Sequence, residues 1–333
     1  MKKIELFILA LLCSIFPIQA QSSIKKGLAT INQYSAEAYI GFLSSDAMQG
    51  REAGTNHGRI AAEYIASNLQ VLGIRPLSDS YLQPFEACAK ERQQKSRFQI
   101  HPDSIALIKK GVHRILLLNN VLGKIEGKNP NEFVVIGAHY DHLGIDPTLE
   151  GDCIYNGADD NASGVSAVLQ VAKAFIASGI QPERTVIFAF WDGEEKGLLG
   201  SQYFCLSFPE IKKVKAYLNY DMIGRNNQES RPTQFVYFYT KSHPIFGEWL
   251  KKDIENYQLH LTPDYHPWDK PVGGSDNSSF AKLDIPIIWY HTDGHPDYHQ
   301  PSDQIEKLNW DKLLNITEAS FINMWNLANE KDY

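Results

Sequence analysis

Polar segments rich in possible metal ligands follow or face apolar, strand-like runs throughout the middle third of the chain. The polar segments are 139–142, 156–164, 192–195 and the single residue Asp221. In an open α/β sheet, ligands bind in the crevice beyond the carboxyl ends of the parallel strands, so these side chains are expected to converge. The pattern therefore predicts a two-metal hydrolytic site built at one edge of a sheet.

The same region predicts the fold class. The runs 133–138, 185–191 and 285–290 are short and apolar throughout, as buried strands are, and helical patterns over 163–177 and 196–205 separate them. Alternation of this kind is typical of an α/β protein. We expect a three-layer sandwich with a mixed, mostly parallel central sheet that is covered by helices on both faces.

The remaining segments are less distinctive. Residues 21–80 are predicted to form an N-terminal helical segment packed on a single domain that spans 21–333, since two apolar stripes recur there at helical spacing. A mixed pattern over 82–128 allows short strands, and a polar loop is expected over 262–279. The short strands are expected at 98–101, 105–108 and 120–125.

The first twenty residues resemble a secretory signal peptide. Lys2 and Lys3 form the positive start, residues 7–18 the apolar core, and Ala20 suits cleavage before Gln21. The apolar core is shorter than the roughly 20 residues that a membrane-spanning helix needs. We expect an exported protein, periplasmic or extracellular, with no membrane contact after cleavage.

Charge and cysteine content exclude several classes of protein. The formal net charge is −7, without long runs of Lys or Arg, which argues against a nucleic-acid partner. Only Cys88, Cys153 and Cys205 remain after the predicted cleavage, so at most one disulfide can form. None of them has the C-x-x-C spacing of a structural zinc site.

The residue types at the strand ends suit metal-assisted hydrolysis. That chemistry needs a water activated by a cation, a base for its proton and positive charge near the developing oxyanion. Imidazoles and carboxylates are the zinc ligands of open, catalytic sites. In the pair Glu194-Glu195, adjacent side chains point in different directions, so one carboxylate can bind metal while the other serves as the base. Considered singly, each of these residues also has an ordinary structural explanation, such as the first turn of a helix.

Five motifs, named below in the order in which they occur, make the chain similar to a known protein family. It resembles the co-catalytic zinc aminopeptidases of the bacterial leucyl aminopeptidase type, whose relatives include glutamate carboxypeptidase and transferrin receptor. The resemblance implies two zinc ions in a single zinc peptidase domain. The motifs are Ala138-His139-Tyr140-Asp141-His142, Gly157-Ala158-Asp159-Asp160-Asn161-Ala162-Ser163-Gly164, Trp191-Asp192-Gly193-Glu194-Glu195-Lys196-Gly197-Leu198-Leu199-Gly200-Ser201, Asn219-Tyr220-Asp221-Met222-Ile223-Gly224 and Asp297-Tyr298-His299.

The resemblance also implies which residues hold the ions. His139 and Asp221 would bind one zinc, Glu195 and His299 the second, and Asp160 would bridge both. The implied activity is that of an exopeptidase, most simply an aminopeptidase, acting on peptide substrates with a free N-terminus.

Three further residues receive roles from the resemblance. Glu194 would be the general base that deprotonates a bridging water and then protonates the leaving amine. Asp141 would orient a ligand imidazole by accepting its second N–H. Tyr298 would help to polarise the scissile carbonyl.

The chain departs from many relatives at Asn277, where they carry His, so substrate contacts in the 262–279 loop are expected to differ. His142, His291 and His295 are additional imidazoles, which are expected to be bystanders. Two other functions remain open. One is a glutaminyl cyclase on the same scaffold, which uses one zinc, and the other is a non-catalytic, receptor-like homologue. Metal content separates the three.

Overall fold

A central nine-stranded sheet organises the protein, whose computed structural model describes residues 21–91, 97–269 and 274–333. The predicted signal peptide lies outside these described residues. Its strands are β1 (Arg75–Pro76), β2 (Leu82–Lys90), β3 (His113–Ile125), β4 (Asn129–His139), β7 (Arg184–Trp191), β8 (Val214–Tyr220), β9 (Gln234–Tyr239), β10 (Thr262–Pro267) and β11 (Ile287–His291); β5 (Gly144–Ile145) and β6 (Ile154–Tyr155) form a separate pair. The sheet has the order β1-β3-β7-β4-β8-β11-β9-β10, with β2 paired to β3.

The centre of the sheet is parallel. Strand β4 pairs in parallel with both β7 and β8, and β8 pairs in parallel with β11. Antiparallel pairing begins outside this centre, between β3 and β7 on one side and between β11 and β9 on the other. The carboxyl ends of β7, β4, β8 and β11 therefore open on one edge, where an α/β sheet binds its ligands.

Helices cover both faces of the sheet, which confirms the predicted α/β class. One layer contains α1, α2, α3, α5, α7 and α9, and the other contains α6 and α8. The helices are α1 (residues 21–28), α2 (Gln33–Leu43), α3 (Asn56–Val71), α4 (Pro102–Ile108), α5 (Gly164–Ser178), α6 (Leu199–Ser207), α7 (Ile245–Tyr257), α8 (Asn277–Ala281) and α9 (Trp310–Asn329).

The alternation of side chains along β4 explains the two layers. Val134, Ile136 and Ala138 join the apolar cluster on one face, whereas Phe133 and Val135 join the cluster on the other. Successive side chains of a strand point to opposite faces, and β-branched residues fit a pleated surface well. A strand that is apolar at every position must therefore be covered by other elements on both of its faces.

The N-terminal segment packs into the larger of these clusters. Asn32 and Thr55 cap α2 and α3, each with a side-chain oxygen that accepts a backbone N–H of the first turn. Ile40 of α2 and Ile65 of α3 are fully buried in the same cluster as Val134 of the central strand. The two helices thus share the core of the sheet.

Four sequence-based assignments were wrong. Residues 98–101, expected as a strand, contain only an isolated bridge at Gln99. Residues 105–108, expected as a strand, end helix α4, which begins with Pro102 and Asp103. Both residue types favour a first helical turn. The expected loop over 262–279 contains strand β10 and the start of α8. Strand β2, which pairs with the long strand β3, was missed because Gln83, Pro84 and Glu86 interrupt any apolar run along it.

Within the described residues, no helix combines the length and the apolar character needed to cross a membrane. Cys88, Cys153 and Cys205 are all free thiols.

Candidate metal centre

The ends of three central strands bring the predicted ligands to one place. His139 is the last residue of β4, Asp221 follows β8, and Glu195 lies in the turn after β7. Asp160 reaches the same point from the segment Ala158–Ser163, which leads into α5 and is irregular at Asp160 itself. The fifth ligand, His299, comes from the loop that follows β11.

A first cluster of donor atoms surrounds His139. Its Nε2 lies 3.2 Å from Oδ1 of Asp160 and 3.7 Å from Oδ1 of Asp221. All three residues are buried. Their donor atoms form a group close enough to hold one ion.

A second cluster of donor atoms surrounds the other carboxylate oxygen of Asp160. Nε2 of His299 is 3.2 Å from Oδ2 of Asp160 and 3.4 Å from Oε2 of Glu195. Asp160 therefore directs one oxygen to each cluster, as a bridging carboxylate must.

The separations of the donor atoms fit zinc. Ligand bonds of about 2.0 to 2.2 Å in a tetrahedral arrangement place neighbouring donor atoms about 3.3 to 3.6 Å apart. The four separations within the two clusters run from 3.2 to 3.7 Å. The donor set also has the imidazole and carboxylate composition that is typical of catalytic zinc sites.

The imidazoles in the two clusters carry raised pKa values. Burial opposes the charged form of His139, but Glu194, Asp160 and Asp221 outweigh it and raise its pKa well above the usual range. The pKa of His299 rises to about 10 because its bonds to Asp160 and Glu195 likewise outweigh burial. The carboxylates thus favour positive charge at this position. A bound cation would supply that charge and would replace the protons on the imidazoles.

The adjacent carboxyls of Glu194 and Glu195 have different surroundings. Desolvation raises the pKa of Glu194 well above its ordinary value, and repulsion from Asp221 and Asp276 adds to the increase. Burial and Asp160 also oppose ionisation of Glu195, but hydrogen bonds from His142 and His299 lower its pKa to about 2. Paired titratable groups whose pKa values are driven apart are the usual mark of divided roles, one residue remaining ionised and the other exchanging a proton.

Asp141 fixes the turn that carries these two glutamates. Its carboxylate accepts the backbone N–H of Glu194 at 3.0 Å and of Glu195 at 3.3 Å. It lies 3.8 Å from Nδ1 of His139, whereas the backbone oxygen of Asp141 lies 3.2 Å from that nitrogen. Asp141 therefore orients His139 through its main chain and the glutamates through its side chain.

A cavity of about 250 Å³ opens beside the clusters. Glu194 lines it, and so does Tyr298, which stands on the rim with 43% of its surface exposed and its ring stacked on His299. Burial and the nearby carboxylates raise the pKa of Tyr298, so its hydroxyl keeps its proton and can donate a hydrogen bond. The remaining lining residues are His139, Asp160, Asp221, Met222, Gly274, Trp289, His291, Gly294 and His299.

The described part of the 262–279 loop contributes one residue to the wall of this cavity. Among the described residues of the 262–279 loop, Gly274 lines the cavity and Asn277 does not. The other wall residues include Trp289 and His291 at the end of β11. Gly274 has φ +107° and lies against the Trp289 ring, where an added Cβ would approach to 3.4 Å.

Arg51 is a buried residue near the site that the sequence did not single out. Its guanidinium is fully buried and donates to five backbone carbonyls at 2.5 to 3.1 Å. These carbonyls belong to Leu43, Tyr140, Asn156, Gly157 and Asp160. Arg51 thus joins the segment that follows β4 to the segment that carries Asp160. A lone Arg in a polar, Gly-rich loop has no periodic signal that would reveal such burial.

The three additional imidazoles have different surroundings. His295 Nε2 lies 3.2 Å from Oδ2 of Asp159 with both side chains fully buried, and Nδ1 of His291 contacts the backbone oxygen of Asp221. His142 contacts the side chain of a predicted ligand, with Nδ1 2.9 Å from Oε1 of Glu195. Each therefore contacts either a predicted ligand or the neighbour of one.

Known proteins resemble this chain in sequence and fold. Leupeptin-inactivating enzyme 1 of Streptomyces exfoliatus is 29% identical over 231 residues, which are 63% of this chain and 48% of that protein. Probable leucine aminopeptidase 2 of Aspergillus oryzae is 36% identical over 63% of this chain and 45% of its own length. The chain thus spans about half the length of these curated relatives.

A solved structure has the same architecture. The LapA aminopeptidase of Legionella pneumophila aligns with a TM-score of 0.69 and 23% identity, over 94% of this chain and 75% of that one. At this level of identity the similarity concerns the fold. The family evidence comes from the sequence, because the model of peptidase family M28 matches residues 120–322, well over half of the chain. The chain belongs to peptidase family M28.

Proposed function

We propose that this protein is an exported, two-zinc aminopeptidase that removes N-terminal residues from peptides. The observation that carries the proposal is the placement of Asp160, whose two oxygens face separate imidazole–carboxylate clusters at 3.2 Å each. The first cluster would use His139 and Asp221, and the second Glu195 and His299. Export is proposed from the signal-like residues 1–20.

The zinc ions, when bound, would supply Lewis acidity that lowers the pKa of water and polarises a carbonyl oxygen. The side chains of the chain would handle the protons. Glu194 lines the cavity beside both clusters and would take a proton from the attacking water, then return it to the leaving amine. Tyr298, on the rim, would donate its hydroxyl proton as a hydrogen bond to the carbonyl oxygen.

The preference for a free N-terminus would come from the charge in the cavity. One carboxylate there is not used on metal, that of Glu194, which lines the cavity but belongs to neither cluster. Nearby negative charge stabilises a protonated α-amino group in a partly desolvated cavity. A blocked, neutral terminus would lose that interaction.

Two other functions on this scaffold receive less support. A glutaminyl cyclase binds one zinc and would not use the second cluster. The donor atoms of that cluster are nevertheless as close together as those of the first. A non-catalytic receptor has no use for Glu194 inside the cavity.

The requirement for a free amine is directly testable. We expect a peptide with a free N-terminus to be hydrolysed at least about 10²-fold faster, in kcat/KM, than its Nα-acetylated form, because loss of a buried charge interaction typically costs about 3 kcal/mol or more. The measurement compares both forms of one peptide, with release of the N-terminal residue followed by mass spectrometry. Equal turnover would exclude an aminopeptidase, and cyclisation of an N-terminal Gln peptide without hydrolysis would favour the cyclase.

A further inference from the structure

His142 is fully buried and lies behind the second cluster. Its ring packs against the backbone of Gly157, where an added Cβ would come within 2.5 Å of Cδ2 of the imidazole. Its own backbone N–H donates to the oxygen of Arg51 at 3.4 Å. The ring is therefore buried and closely packed, and it is not a flexible surface group.

The two oxygens of Glu195 face different imidazoles. Oε1 lies 2.9 Å from Nδ1 of His142, and Oε2 lies 3.4 Å from Nε2 of His299. The shorter distance is the optimum for an N–H···O hydrogen bond. The longer one is the spacing expected of two ligands around a zinc ion. Oε1 of Glu195 thus accepts a hydrogen bond, whereas Oε2 lies where a zinc ligand is expected.

We propose that His142 is a positioning residue for the second metal. It donates its Nδ1–H to Oε1 of Glu195 and so holds Oε2 toward the ion shared with Asp160 and His299. This inference rests on the proposed two-zinc function and adds to it a residue that increases the affinity of one site. Ligand carboxylates that are themselves hydrogen-bonded are pre-oriented, and loss of such a partner typically weakens metal binding by about 10- to 100-fold.

The donor atoms of His142, Asp160 and Glu195 are themselves close enough together to hold an ion. The individual distances nevertheless favour positioning over direct ligation. Nδ1 of His142 is 3.8 Å from Oδ2 of Asp160, longer than the separations of 3.2 to 3.7 Å between the predicted ligands of the two clusters. His299 already fills the imidazole position beside the same Asp160 oxygen, at 3.2 Å. His142 is also the more deeply buried of the two, since 35% of the His299 side chain is exposed toward the cavity and none of the His142 side chain is.

The test measures zinc binding to the metal-free protein by calorimetry, in competition with a chelator of known affinity. His142→Ala is expected to weaken one of two sites by about 10- to 100-fold and to leave the other unchanged. His142→Asn, whose amide nitrogen occupies the position of Nδ1, is expected to restore most of that loss. His299→Ala serves as the ligand control and is expected to lose the second zinc altogether. Circular dichroism of each metal-free variant checks that it folds.

Two outcomes would overturn the inference. Unchanged affinity in His142→Ala would make this residue a bystander. Loss of the second zinc in His142→Asn, to the same degree as in His299→Ala, would make it a ligand rather than a positioning residue. If the unaltered protein binds a single zinc, the proposed function itself fails, so the two failures are distinguishable.

Discussion

Replacing Glu194 with Gln is expected to slow peptide hydrolysis by about 10²- to 10⁴-fold while both zinc ions stay bound. Gln keeps the size and polarity of the side chain but cannot accept the proton of the attacking water. Glu194 lines the cavity beside His139 and Asp221, yet neither cluster needs it to complete its set of donor atoms. Steady-state kinetics together with metal analysis of the purified variant provide the measurement.

The neighbouring Glu195 supplies a matched control, since the two residues share a turn and a side-chain type. Glu195→Gln is expected to lose zinc as well as activity, because Oε2 of Glu195 belongs to the second cluster. If Glu194→Gln were instead the variant that lost metal, the roles assigned to the two glutamates would be reversed.

Arg51→Ala is expected to lower the free energy of unfolding by about 4 kcal/mol or more, or to prevent folding outright. The substitution leaves five buried carbonyls without their donor, and each unsatisfied buried group costs about 1 to 3 kcal/mol. It also leaves a cavity in a fully buried location. Urea denaturation of the metal-free protein measures this effect separately from zinc binding.

The charge of the Arg51 guanidinium also affects the electrostatics of the site. Burial lowers the pKa of its guanidinium to about 10, with Asp160 and Asp303 opposing the decrease, so it stays charged at neutral pH. That buried charge partly offsets the carboxylates gathered at the site. Arg51→Lys keeps the charge but cannot reproduce five hydrogen bonds, so we expect it to restore only part of the stability.

Arg59 on helix α3 is the control for this substitution. Its guanidinium bonds to the side chain of Asn56 at the surface. Removing such an exposed group usually changes stability by less than about 0.5 kcal/mol. An Arg51→Ala protein as stable as Arg59→Ala would show that the five carbonyl contacts contribute little.

Three of the five predicted ligands stand at or just after the end of an apolar run, whereas Asp160 and His299 were predicted from the family resemblance. His139, Asp221 and Glu195 follow β4, β8 and β7, and the parallel centre of the sheet makes those ends adjacent in space. The fold class was predictable for the same reason, since runs that are apolar at every position must be covered on both faces.

Contacts between distant segments were not predictable. Arg51 donates hydrogen bonds to carbonyls up to 109 positions away in the chain. His142 contacts the carboxylate of Glu195, 53 positions later. Neither contact leaves a periodic trace in the sequence. The helix at Pro102–Ile108 was not predicted, and residues 105–108 were expected as a strand, because its apolar residues are too few to define a helical stripe.

The central claim is that Asp160 lies between two zinc ions. Crystals of the zinc-loaded protein, measured at the zinc absorption edge, test it most directly. We predict two anomalous peaks about 3.5 to 4 Å apart, one beside His139 and Asp221, the other beside Glu195 and His299, with one oxygen of Asp160 toward each. A single peak, or two peaks of which neither touches Asp160, would contradict the account.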